Sequence, residues 1–106
     1  MKEYDVIITE AAQQDLREIM ETIIKVVKEA SASQVQNLIN QMELAILSLE
    51  KAPFGNSLVS DERLVTMGIR KMMIDKYIVL YIASEKDKSA AVVRILHDQR
   101  HWNDLI

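Results

Sequence analysis

The sequence predicts an α+β domain in which an antiparallel helical hairpin packs on one face of a mainly antiparallel four-stranded sheet, in the order β-α-α-β-β-β. Three observations predict it. Strand-like segments stand at the N-terminus and three times in the C-terminal third. Two longer stretches between them repeat apolar residues at helical spacing. The connection between those two stretches is short, which folds them back on each other.

Tyr4, Val6 and Ile8 alternate with Asp5, Ile7 and Thr9, marking a β-branched strand over 3–9. Thr9 offers an N-cap. Leu16, Ile19, Met20, Ile23 and Val27 then define a helix over about 10–29, with Asp15, Arg17, Glu18, Glu21, Lys25 and Lys28 mostly on its polar face. Ser31-Ala32-Ser33 interrupts the pattern and provides a fresh cap. Val35, Leu38, Ile39, Met42, Ala45, Ile46 and Leu49 mark a second helix ending near Lys51. Pro53 and Gly55 stop it and open a long irregular loop over 52–64. Strands follow over 65–74, 77–84 and 90–97, and Asp75-Lys76 makes a tight hairpin between the first two. The stretch 90–96 is apolar on both faces except at Arg94, which suits a central strand covered on both sides. Nothing in the sequence fixes the neighbour of the first strand. The segment after His97 is polar and aromatic and suits one short helical turn.

The 106 residues fit a single domain, 1–106, and at 49% hydrophobic they can form a core. The longest apolar runs are far too short to cross a bilayer, and the N-terminus has no apolar signal core, so a cytoplasmic protein without membrane contact is expected. Without cysteine, disulfides, thiolate metal sites and a thiol nucleophile are excluded. The net charge of −3 weighs against a broad phosphate-binding surface. Charge is uneven: residues 1–59 hold five Lys/Arg against nine Asp/Glu, and residues 60–106 hold eight against seven. With two glycines in all, the chain has no glycine-rich phosphate loop, and no cofactor is expected. Two histidines four apart lack a third ligand at convincing spacing, so no metal site is expected. The six methionines fall mostly within apolar periods and are read as core filling.

The order of several motifs resembles the RelE/ParE superfamily of bacterial toxins, closer to its ParE-like members. The opening strand runs into Thr9-Glu10-Ala11-Ala12-Gln13-Gln14-Asp15-Leu16, similar to the start of that family's first helix. Leu49-Glu50-Lys51-Ala52-Pro53-Phe54-Gly55 is similar to its helix-ending Leu-x-x-x-Pro-x-Gly. Arg70 followed by Tyr77-Ile78-Val79-Leu80-Tyr81, and Arg94-Ile95-Leu96-His97-Asp98-Gln99-Arg100, resemble its two C-terminal motifs. The resemblance covers nearly the whole chain. It implies a growth-inhibiting toxin of a type II toxin–antitoxin module, of the kind associated with plasmid stabilization, neutralised by a cognate antitoxin. ParE-like members inhibit DNA gyrase; RelE-like members are mRNA interferases that cleave messenger RNA on the ribosome. A third reading is an inactive module that retains only antitoxin binding.

A metal-independent endoribonuclease needs a proton acceptor, a cation for the phosphate and a proton donor to the leaving oxygen. The residues proposed for that chemistry are His97, Arg70 and Arg100, with His101 a weaker choice. Each has a plainer reading: His97 caps a strand end, His101 sits on the surface, and Arg70 is half-buried and paired. Arg94 is expected to snorkel or pair with a carboxylate, and Trp102 to seal a core edge. The antitoxin is expected in the outer groove of the helical hairpin or along a free sheet edge, where Ile7, Ile24 and Val26 fall off the apolar pattern.

Overall fold

The computed structural model of the chain describes residues 3–26, 32–56, 58–59 and 62–97. Its elements are β1 (Asp5–Ile8), α1 (Glu10–Val26), α2 (Ala32–Ser48), α3 (Glu62–Thr66), β2 (Ile69–Ile74), β3 (Tyr77–Ser84) and β4 (Ser89–His97). The strands form one sheet in the order β1-β4-β3-β2. The neighbour that the sequence left open for β1 is β4, and the pairing is parallel, Asp5 opposite Ser89 through Ile8 opposite Val92. The sheet is therefore mixed. This parallel pairing makes β4 central over its first half, as its apolar composition predicted.

Helices α1 and α2 cover one face. Ala12 from α1 and Met42 from α2, with Leu49 just beyond it, pack with Met72, Val79, Tyr81, Val92 and Ile95. The opposite face carries a second cluster, Ile69, Ile78, Leu80 and Leu96, under Val59 and Leu64. Asp75-Lys76 is the two-residue hairpin turn, with Asp75 at φ 52, a conformation that aspartate tolerates better than bulkier residues.

Three details differ from the sequence reading. First, α2 ends at Ser48 rather than near Lys51, and the chain leaves it through tighter bonds, Leu49 N–H to Ile46 O (3.1 Å) and Lys51 N–H to Ser48 O (3.2 Å). Second, the loop over 52–64 is shorter than expected, and its last residues, with the start of the expected strand over 65–74, form α3. This single turn buries only Leu64, too little for a periodic pattern to register. Gly68, at φ 76, turns the chain from α3 into β2 while its N–H bonds Val65 O at 2.8 Å.

Third, Asp15 is buried rather than on the polar face of α1. β4 outruns β1 by five residues, which leaves an open backbone edge beyond Val92. The start of α1 occupies that edge. Thr9 Oγ1 donates to Val92 O and Val93 O at 2.9 and 3.2 Å, and also accepts the Ala12 N–H at 3.3 Å as the helix cap. Asp15 Oδ2 accepts the Ile95 N–H at 3.0 Å. The structure describes α1 as far as Val26, so its expected extension to 29 and the cap at Ser31 lie outside the described residues.

Candidate functional site: an apolar groove between the helices, and the placement of Arg70 and His97

Arg70 stands near the start of β2, on the helix-covered face with Met72 and Ile74. Its Nη1 donates to Asn56 O at 2.6 Å, and its guanidinium lies 5.2 Å from the centre of the Phe54 ring. Beside it, the buried Tyr81 hydroxyl donates to Pro53 O at 2.6 Å and accepts from Asn56 Nδ2 at 3.1 Å. Burial raises the Tyr81 phenol above its ordinary range, against the opposing pull of Asn56 and Arg70. Arg70 and Tyr81 thus clasp the 53–56 loop onto the sheet. Arginine and tyrosine belong to one motif and proline to another, and the fold joins them across 28 residues between Pro53 and Tyr81.

His97 ends β4 on the same face. It is half-buried, edge-on to Tyr77 with ring centres 5.5 Å apart. The two rings border a cleft of about 180 Å³ shared with Asp15, Glu18 and Thr22 of α1. Burial, then the nearby Asp75 carboxylate, raises the Tyr77 phenol. His97 pairs across the sheet with Tyr77, which pairs with Ile74, whereas Arg70 pairs with Tyr81. Four residues of strand and two inter-strand steps separate them, about 13 Å along the sheet and about 10 Å across it. The shared face expected for Arg70 and His97 is present, but the two stand at opposite ends of it. Arg100, His101 and Trp102 lie outside the described residues.

Of the two expectations for Arg94, snorkelling or pairing with a carboxylate, the structure shows the pairing. Its Nε and Nη2 donate to Asp15 at 2.8 and 3.0 Å, a two-point contact. Those bonds raise the already high guanidinium pKa further. Asp15, Arg94 and Ile95 together anchor α1 to β4. The partner of Arg94 was hidden in the sequence because it lies 79 residues away and carries a helical phase that reads as polar.

With α1 anchored in this way, its opposite flank faces α2 across a groove of about 550 Å³. Leu16 and Met20 of α1, Ile39, Met42, Ile46 and Leu47 of α2, and Ile8 at the end of β1 line it; Glu43 is the single charged lining residue. Leu47 is 53% exposed, and Leu44 on the next face of α2 is 69% exposed. This concave surface offers apolar contact with almost no polar chemistry, the character of a docking groove rather than of a reaction centre. Ile7 is exposed on edge strand β1, as its place off the apolar pattern suggested; the side chains of Ile24 and Val26 lie outside the described residues. Among the described residues no three of His, Asp and Glu gather as a metal site, and no helix is long and apolar enough to cross a membrane.

A mixed four-stranded sheet under two helices is a fold that this chain shares with solved structures from toxin–antitoxin systems. It is shared with the RelBE2 toxin–antitoxin complex of Mycobacterium tuberculosis (TM-score 0.59, 18% identity, 89% of this chain and 96% of that one). It is shared also with the chromosomal ParDE system of P. aeruginosa (TM-score 0.67, 13% identity, 90% and 96%). The isolated RelE toxin of E. coli is similar as well (TM-score 0.53, 13% identity, 96% and 94%). Residues 6–102 match the family model of the ParE toxin of type II toxin–antitoxin systems, parDE, and the chain belongs to that family. No curated protein sequence matches it.

Proposed function

We propose that this toxin arrests growth by binding a protein target, DNA gyrase, and that an apolar segment of a cognate antitoxin neutralises it by lying in the groove between α1 and α2. The groove is the observation that carries the second half of this reading. A surface with Leu16, Met20, Ile39, Ile46 and Leu47 open to solvent gains free energy when a complementary apolar helix or strand covers it. Two of the similar structures are toxin–antitoxin assemblies, which supports an antitoxin as the occupant. Three features support a protein target: the membership in the ParE family, the net charge of −3, and the engagement of Arg70 in holding a loop about 16 Å from His97 by the strand spacings. A phosphate clamp for RNA needs a cation and a proton carrier within reach of one scissile bond.

The test is expression of the chain in bacteria with and without the antitoxin encoded beside it, following DNA supercoiling, the DNA-damage response and transcript integrity. The expected outcome is damaged, relaxed DNA with intact transcripts, relieved by the antitoxin. Leu16→Arg should escape neutralisation while remaining toxic. Transcripts cut on ribosomes, with cutting lost in His97→Ala, would establish the ribonuclease instead. Absence of any growth defect would identify an inactive antitoxin-binding module.

A further inference from the structure

We infer that Glu43 sets which segment the groove accepts: the occupant carries a lysine or arginine beside its apolar stripe, placed to meet this carboxylate. The inference rests on the docking role proposed above for the groove and adds a chemical requirement to it. Glu43 stands in the middle of the α2 wall, between Ile39 one turn before it and Leu47 one turn after it. Every other lining side chain is aliphatic or thioether. Glu43 is exposed, and no hydrogen bond or ion pair within the described residues engages its carboxylate.

An apolar segment laid along α2 has to pass over this position. Covering the carboxylate with aliphatic groups would strip its water and return nothing, which opposes binding. A cation on the flank of the segment restores a partner and converts the same burial into a charge-assisted contact. Glu43 therefore does two things at once. It rejects purely apolar or acidic segments, which limits association with unrelated helices, and it fixes the register of a segment whose apolar residues alone would slide along the groove.

The experiment uses the full-length chain and a displayed library of helical 16-residue peptides. Leucine is fixed at four positions one turn apart, and the flanking positions are randomised. The library is selected in parallel on the native protein, on Glu43→Lys and on Glu43→Gln, all checked for native circular dichroism. Glu43 is exposed and unbonded, so these variants keep the fold. Recovered peptides should carry Lys or Arg on one flank with the native protein, Asp or Glu there with Glu43→Lys, and no preference with Glu43→Gln. Individual Lys-flanked peptides should bind the native protein at least about tenfold more tightly than they bind Glu43→Lys. The same flanking residues on all three proteins would overturn the role of Glu43 while leaving the groove as the docking site. Peptides that bind Leu16→Arg as well as the native protein would place binding elsewhere and overturn the docking reading too.

Discussion

Replacing Asp15 by alanine should detach the start of α1 from β4, and the structure sets the size of the effect. The substitution removes three acceptor contacts: two from Arg94, at 2.8 and 3.0 Å, and one from the Ile95 N–H, at 3.0 Å. The Arg94 side chain is 25% exposed, so water recovers much of its solvation and its share of the loss is discounted to about 1 kcal/mol. Ile95 is 1% exposed, and its N–H has no strand beside it to replace Asp15. An orphaned buried N–H costs about 1–3 kcal/mol. The sum, about 3 kcal/mol, is a large part of the 5–15 kcal/mol that holds a typical domain. At roughly 4–8 °C per kcal/mol for a domain near this size, Tm should fall by about 12–24 °C. Urea unfolding followed by circular dichroism measures the free energy, and Arg94→Leu with the double variant completes a cycle. The coupling should be about 1 kcal/mol, leaving most of the Asp15 effect in the Arg94→Leu background. A loss below about 1 kcal/mol for Asp15→Ala would refute the claim that this carboxylate seals the edge of β4. The same variant should weaken antitoxin binding, because α1 supplies one wall of the groove.

Two further outcomes concern Tyr81 and Tyr77. Tyr81→Phe should cost about 1–2 kcal/mol, read as a lower urea midpoint, since it leaves the Pro53 carbonyl and the Asn56 amide without the hydroxyl. Stability should also fall in alkali. Tyr77 and Tyr81 are both raised by burial, so the folded chain holds their protons more tightly than the unfolded chain does. Their contribution is complete below the unfolded phenol pKa of about 10 and declines as pH rises from there through the raised folded values. Thermal melts between about pH 8 and 11, with ultraviolet titration of the phenols, check it; a Tm that stays constant while the phenols ionise would contradict the assignment.

Much of this was legible along the chain. The 3.6-residue recurrence of Leu16, Met20, Val35, Met42 and Ile46 located both helices, and the doubly apolar stretch 90–96 identified a central strand. α3 was not legible, because five residues burying one leucine carry no period. The apolar neighbours of Arg94 left either snorkelling or a carboxylate partner open, and nothing identified Asp15, since its helical phase shows only which side of α1 it occupies. The outer groove of the hairpin was expected from the two helices, but its full lining was not: Leu47, which falls outside the apolar pattern read for the second helix, lines it and is exposed. The groove's volume depends on the spacing of α1 from α2, which no local pattern encodes.

The sequence by itself determined the order of the four strands and the two long helices, the apolar faces and the motifs that mark the family, because each depends on residues within a turn or two of one another. Only the tertiary structure decided that β1 pairs in parallel with β4, that Arg70 holds a loop at the far end of the sheet from His97, and that the helices leave an apolar groove with Glu43 on its wall. Those outcomes join residues tens of positions apart. They are fixed by the packing of whole faces against each other, a sum over many weak contacts that no single stretch of sequence contains.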